Sequence, residues 1–459
     1  MTAQETTAAS TIPKSRVRAW ALWDWGSASF NAVVTTFVFS TYLASNLFVD
    51  PDILAAAGDD SRNPLLMAAK AENATVISWA LTIAGVVVAL LAPILGQRSD
   101  GSGRRRLWLG VNTGLVVLAM AAMVFVAPVP AYIYLGAALL AVGNIFFEFA
   151  SVNYNAMLVQ VSTPKTVGRV SGFGWGMGYI GGIVLLIILL VLFIQSFGSD
   201  TGNGLLNVPF GADGGALDIR LAVLVSAVWF AVFAIPVLVK VPEIAATARE
   251  GRIGILASYR QLFRTIAALK RRSPQVLLFL LASAIFRDGL AAVFTFGAII
   301  AAQVFGFSST EVIYFAVAAN LVAGVGTFFG GWLDDRIGAK TIIIGSLGGL
   351  VIAGTAVLFI GDSQSLFWVF GLMLCLFVGP VQSSSRGFLA RITPVGREGE
   401  IFGLYATTGR AVSFLAPGLF TLFVSLTGNT LYGLVGIVLV LLAGLVLMIP
   451  VKAKPAQIE

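Results

Sequence analysis

The chain of 459 residues is 58% hydrophobic and only 11% charged, with a mean hydropathy of +0.92; an ordinary soluble domain is roughly a quarter charged, so a soluble fold is excluded. The net charge of +7 does not point to nucleic acid, because the basic residues sit in short segments between apolar runs and not among aromatics on a solvated face. With no His and a single Cys375, neither a His-based catalytic triad, a His-containing zinc site nor an internal disulfide can be built, and no metal or cofactor is expected.

Residues 1–15 are small and polar, the pattern of a disordered tail. The apolar run from Trp20 to Phe48 is too long for a signal-peptide core and fits an uncleaved first span. At about 20 apolar residues per crossing, spans are expected near 19–48, 74–96, 107–127, 131–160, 169–197, 219–240, 275–303, 311–333, 341–361, 365–390, 401–426 and 429–450. This is an all-α polytopic membrane protein of twelve transmembrane helices.

The basic residues orient it. Of the 29 Lys and Arg, only Arg62, Lys70 and Arg220 fall in the odd-numbered loops, which are crowded with acids such as Asp50, Asp52, Glu72, Asp218 and Glu311. By the positive-inside rule both termini are cytoplasmic, and the expected location is the plasma membrane. The longest cytoplasmic segment, 241–273, separates six spans in 19–240 from six in 274–450; residues 1–18 and 451–459 are the tails. Within that segment Ile253, Leu256, Tyr259, Phe263, Ile266 and Leu269 recur at helical spacing, with Arg260, Arg264, Lys270, Arg271 and Arg272 elsewhere on the turn. That pattern predicts a connecting helix lying on the membrane surface.

A short motif occurs twice. Gly96, Asp100 and Gly103 with Arg104, and Gly331, Asp335 and Gly338 with Lys340, both read G-x-x-x-D-x-x-G followed by a cation, each between two apolar runs. The glycines predict tight hairpins. Ser162-Thr163-Pro164 after span four answers Ile392-Thr393-Pro394 after span ten, and Gly172 to Gly178 matches Gly403 to Gly409. Two six-span halves with cytoplasmic termini are the layout of the major facilitator superfamily, whose substrate site lies between the halves near mid-membrane. The hairpins are then gating elements, through Gly96, Asp100, Gly103 and Arg104 in one half and Gly331, Asp335, Arg336 and Gly338 in the other.

Trp20-Ala21-Leu22-Trp23-Asp24-Trp25-Gly26, Asn153-Tyr154-Asn155-Ala156, Ser171-Gly172, Gly178-Tyr179-Ile180-Gly181-Gly182, Gly379-Pro380-Val381-Gln382, Arg386 and Phe402-Gly403-Leu404-Tyr405 together resemble the autophagy-related vacuolar effluxer-like branch of that superfamily. The resemblance runs from span one to span eleven. It implies a secondary transporter, and its fungal namesakes suggest amino-acid export. The first hairpin departs from the superfamily pattern with Gly101 where an Arg is usual, as at Arg336 in the second; the first half lacks the gating ion pair of that position.

An ionisable residue within the hydrocarbon is a functional candidate by default. Six qualify: Asp24, Glu148, Arg287, Asp288, Arg386 and Arg410. Glu148 leads, because Asn144, Glu148, Ser151 and Asn155 form one polar helical stripe suited to a wet cavity and to reversible protonation. Asp24 heads a similar stripe with Asn31 and Thr35, and it is a gate residue or a ligand. Arg287 and Asp288 are adjacent and cannot face the same way. Gln382, Ser385 and Arg386 share a face of span ten, and Arg410 lies mid-way along span eleven. Arg386 or Arg410 suits an acid group, with Glu148 or Asp24 facing an amine; three acids and three bases can equally pair among themselves and only lock helices. The Gly172–Gly178 series lies in a membrane-length run, so it is no nucleotide loop.

These features predict a monomeric, proton-coupled secondary transporter of a small organic solute, amino-acid-like or another zwitterion or anion, working by alternating access. Sugar or drug-like cargo is the alternative. A non-transporting membrane sensor on the same fold would need an effector domain.

Overall fold

The computed structural model describes residues 12–58, 60, 63–194, 204–206, 208, 215–244 and 255–453. Most of the expected polar tail, most of residues 195–214, Ile253 and the last residues of the chain lie outside that set. The described chain is helical, with no strand among the described residues.

The first rod is composite: α1 (Lys14–Ala28) passes into a π-helical stretch, Ser29–Val38, and then α2 (Phe39–Leu43). The β-branched run Val33-Val34-Thr35-Thr36 crowds an α-turn. The hydroxyls of Thr36 and Ser40 donate to the carbonyls of Asn31 and Thr35, five residues back, matching the π repeat. A short α3 (Pro51–Ala57) follows, and then α4 (Pro64–Ser102), which starts ten residues before the expected span. The reason is local: Asn63 Oδ1 accepts from the amides of Leu65 and Leu66, with proline at the first helical position. An apolar count finds a bilayer crossing, not where a helix stops.

The remaining first-half helices are α5 (Arg105–Ala122), α6 (Ile133–Ala156), a one-turn α7 (Leu158–Val161), α8 (Val167–Leu189) and α9 (Leu217–Lys240). After α10 (Ile255–Arg272) come α11 (Pro274–Gln303), α12 (Ser309–Ile337), α13 (Ala339–Val357), α14 (Gln364–Ile392), α15 (Glu398–Val412), α16 (Leu415–Thr427) and α17 (Gly433–Met448). A reciprocal Ser308–Glu311 capping box opens α12, and its amide and hydroxyl bonds hold the Glu311 carboxyl below its ordinary range. Eleven stretches among the described residues are long and apolar enough to cross a membrane, α15 and α16 counting as one; the composite first rod supplies a twelfth.

Outward faces are apolar, as a lipid solvent requires. On α4, Trp79, Ile83, Val86 and Leu90 form one stripe, each more than half exposed. Packing repeats between the halves: α4 and α5 pack on α6 as α12 and α13 pack on α14, while α1 packs on α8 and α9 as α11 packs on α15 and α17. The halves meet through α4 against α15 and α8 against α12.

One expectation needs correction. The eleventh span is broken at Ser413-Phe414, between α15 and α16. Pro417 lies in the first turn of α16, and a proline ring there clashes with the carbonyl four residues back, at Ser413. α10 is helical, as its spacing predicts; Leu256 and Phe263 on it are 85% and 67% exposed, while Ser258, Leu262, Thr265 and Leu269 are buried. Polar bonds select that face, since Tyr259 donates to the Leu90 carbonyl of α4 and Arg397 donates to Thr265.

Candidate functional site

Between the halves lies a cavity of about 190 Å³, lined by Asp24, Asn31 and Trp23 of the first rod, Phe147, Ser151, Tyr154 and Asn155 of α6, Trp175 and Tyr179 of α8, Asn320 of α12 and Arg386 of α14. Its floor is a cross-half ion pair. Arg386, 3% exposed, donates from Nη1 to Asp24 Oδ2 at 3.2 Å and to Asn155 Oδ1 at 3.3 Å. Its Nη2 donates to the Ser171 carbonyl at 2.7 Å and its Nε to Ser171 Oγ at 2.9 Å. The guanidinium also lies 4.8 Å from the Trp20 ring and 5.5 Å from Trp175.

The tryptophans of the first rod position that pair. Trp20 and Trp23, one turn apart, stack on either side of Tyr154 with ring centroids 4.5 and 4.3 Å away. Trp20 Nε1 donates to the Tyr154 carbonyl, and Trp23 Nε1 donates to Thr113. Held in this clamp, the Tyr154 hydroxyl donates to Asp24 Oδ2 at 2.8 Å. Breaking a buried pair from one side leaves an uncompensated charge and costs about 3–5 kcal/mol, so the clamp and the pair stand together.

A second cross-half pair sits further along the α6 stripe. Arg410 Nη2 of α15 donates to Glu148 and, at 2.9 Å, to Asn144. This pair is wetter, with side chains 32% and 24% exposed. Arg287 and Asp288 do not face the cavity. Arg287 donates to the Tyr405 carbonyl at 3.1 Å and lies 3.9 Å over the Tyr405 ring. Asp288 Oδ2 accepts the Ala416 amide at 2.7 Å, capping α16 at the break. Gln382 is half-buried outside the cavity lining.

The end of the molecule carrying both hairpins is closed. Asp100, at the end of α4, accepts the Gly399 and Glu400 amides of α15, both at 2.9 Å. Asp335, at the end of α12, accepts the Gly168 and Arg169 amides of α8 at 2.8 and 3.1 Å. Each carboxylate thus sits on a helix N-terminus of the opposite half, where the helix dipole favours it. Gly96 and Gly331 are helical, not turn residues: a Cβ on Gly96 would come 2.0 Å from the Gly399 carbonyl oxygen, and one on Gly331 2.7 Å from that of Gly168. The turns are made by Gly103 and Gly338, at φ 66° and 90°.

The cations differ from those expected. Arg104 is exposed, and Arg105, 1% exposed, is the buried base: it donates to Asp100 at 2.6 Å and to Glu398 at 2.5 Å. Gly103 ends α4 one residue earlier, which turns the first residue of α5 inward and leaves its predecessor in solvent. In the second hairpin Arg336 stacks on Trp332, 3.8 Å from the ring, while Arg391 pairs with Asp334 at 2.6 Å and with Asp335 at 3.3 Å. Sequence reasoning missed Tyr154, Ser171, Arg105, Glu398 and Arg391 as site residues. Tyr154 and Ser171 lay within the stretches carrying the family resemblance, which was the available signal.

Similarity to known proteins runs the length of the chain. Residues 159–459 match the model of the family described as vacuole effluxer Atg22 like. The MFS-type transporter YxiO of Bacillus subtilis is 25% identical over 433 residues, 94% of this chain and 93% of that protein. Autophagy-related protein 22 of Cryptococcus neoformans is 27% identical over 338 residues, covering 66% of this chain; the chain spans 56% of that protein's length. Among solved structures, the proton:xylose symporter XylE gives a TM-score of 0.67 at 13% identity, over 95% of this chain and 94% of that one. A bacterial homologue of the iron transporter ferroportin, in its outward-facing state, gives 0.62 at 14% identity, over 96% and 99%. Identities this low establish the fold alone, that of the major facilitator superfamily. With the family match over most of its length, this chain belongs to the Atg22-like vacuole-effluxer family of major facilitator transporters.

Proposed function

We propose that this membrane transporter is a secondary active carrier of a small, charged, amino-acid-like solute, working as a monomer by alternating access of its two halves about the cavity. Both termini and the hairpins face the cytoplasm of a plasma membrane, and 241–273 tethers one bundle to the other. The observation that carries this reading is the Asp24–Arg386 pair, one partner from each half, forming the floor of the cavity. A pair so placed must separate or re-form when the halves rock, so solute binding at that floor is coupled to which end is closed. The Asp100 and Asp335 caps stabilise the state closed toward the cytoplasm. Protons are the coupling ion, with Asp24 and Glu148, each in a cross-half ion pair, as carriers.

Uptake of labelled amino acids into proteoliposomes under an imposed pH gradient tests this. Accumulation that collapses with a protonophore and loses its proton dependence in Glu148→Gln or Asp24→Asn is expected. Accumulation indifferent to the gradient in the wild type contradicts the coupling, and no exchange across a broad solute panel contradicts transport of this class.

A further inference from the structure

We infer that the cavity recognises its solute by an ammonium group, taken up by Asp24 Oδ1 and enclosed by the rings of Trp23, Phe147, Trp175 and Tyr179. This rests on the transport reading and narrows it to one chemical class.

The two charged groups at the floor are not equally available. Arg386 is buried, and its Nε, Nη1 and Nη2 already donate to Ser171, Asp24 and Asn155. Four of its five N–H donors are thus taken, and the fifth, on Nη2, belongs to a side chain that keeps almost no open surface for an incoming carboxylate. Asp24 is different. Both of its hydrogen bonds, from Tyr154 and from Arg386, end on Oδ2, while Oδ1 accepts none among the described residues. The Asp24 side chain keeps 14% of its surface and lines the cavity. The available valence at the floor is therefore a carboxylate oxygen, which calls for a donor, and a charged donor is held roughly twice as strongly as a neutral one.

The walls agree. Aromatic faces attract a cation and offer a neutral or anionic group no such gain, and the remaining polar lining, Ser27, Asn31, Ser151, Asn155 and Asn320, is neutral. The space of about 190 Å³ exceeds the roughly 150 Å³ of an engineered cavity that takes up benzene, which suits a small amine. The wider ring of polar groups at Glu148 and Arg410 lies outside that lining.

Isothermal titration of the full chain in lipid nanodiscs at neutral pH tests the inference with three near-isosteric probes: phenethylamine, 2-phenylethanol and phenylacetate. Phenethylamine binding at least tenfold tighter than either of the others is expected, the discrimination of a charge-assisted over a neutral contact. Asp24→Asn should erase that preference and Asp24→Glu should restore it. Equal or tighter binding of the alcohol or the carboxylate, no binding of the amine, or an unchanged preference in Asp24→Asn would overturn it. The wild-type comparison decides the matter even where a variant fails to fold. Exchange of carboxylate solutes without amine binding would overturn this inference and leave transport standing; amine binding with no exchange of any solute would support it and contradict the transport reading.

Discussion

Asp100 and Asp335 perform the same task in opposite directions: each lies near the end of a helix of its own half and accepts the second and third amides of a helix in the other, Gly399–Glu400 and Gly168–Arg169. The internal repeat of the sequence thus becomes a reciprocal clasp, with the two halves trading caps at the hairpin end.

The clasp makes a site-selective prediction. Asp100→Ala should speed hydrogen exchange at Gly399 and Glu400 and leave Gly168 and Arg169 protected; Asp335→Ala should do the reverse. The loss at each is on the order of 1.5–3 kcal/mol for hydrogen bonds to a charged group, so exchange at the released amides should rise by tenfold or more. Equal acceleration at both helix starts in either variant would show that the caps do not act separately.

Close backbone approach at the hairpin end should be just as sensitive. In Gly331→Ala the new methyl would meet the Gly168 carbonyl at 2.7 Å and the Gly172 Cα at 2.9 Å, and overpacking of this kind costs about 1–3 kcal/mol. With Cys375 replaced by Ala and Ser384, 1% exposed, replaced by Cys, a hydrophilic maleimide should label position 384 slowly in the parent and rapidly once Gly331→Ala is added. Labelling at the same slow rate would mean the closed end tolerates the methyl.

The Asp24–Arg386 pair predicts a non-additive stability cycle. Arg386→Ala should destabilise the purified protein by up to about 3–5 kcal/mol, because it strands a carboxylate that keeps only 14% of its side-chain surface. Adding Asp24→Ala should recover part of that loss. Thermal denaturation of the single and double variants measures the coupling, and a double variant no better than the worse single would show that the two charges do not compensate each other.

Gly174 should matter through the same pair. A Cβ there would meet Asp24 Oδ2 and Trp20 at 2.7 Å and Arg386 Nη2 at 2.9 Å, whereas one on Gly178 comes no nearer than 3.4 Å to anything. Gly174→Ala should cut the rate of solute exchange by an order of magnitude or more, and Gly178→Ala should leave it within about twofold, since only the first forces the ion pair apart. Equal rates in the two variants would remove the pair from the transport cycle.

Much of the architecture was legible because lipid imposes a length and a polarity on every crossing: the apolar runs, the hairpins between them and the repeat could be read directly. Helix ends and breaks could not, since Asn63 caps α4 well before the expected crossing and Pro417 in its first turn marks the restart at α16. For the site, three acids and three bases in the hydrocarbon left the pairing open. Which ones meet depends on contacts across the halves, so Asp24 with Arg386 and Glu148 with Arg410 emerge only in three dimensions. Arg104 and Arg105 are chemically alike, and only the left-handed turn at Gly103 sends one inward and the other to solvent. Asp288 had the composition of a ligand and the geometry of a helix cap.

Alternating access about the Asp24–Arg386 floor is tested most directly by the distance across the hairpin end during turnover. Spin labels at Arg104→Cys and Val395→Cys, both exposed positions on opposite halves, introduced with Cys375→Ala, report that distance by double electron–electron resonance in lipid nanodiscs. The account predicts two populations, a short one matching the closed end and a longer one, whose ratio shifts with pH and with solute. A single short distance, unchanged under conditions that sustain solute exchange, would contradict it.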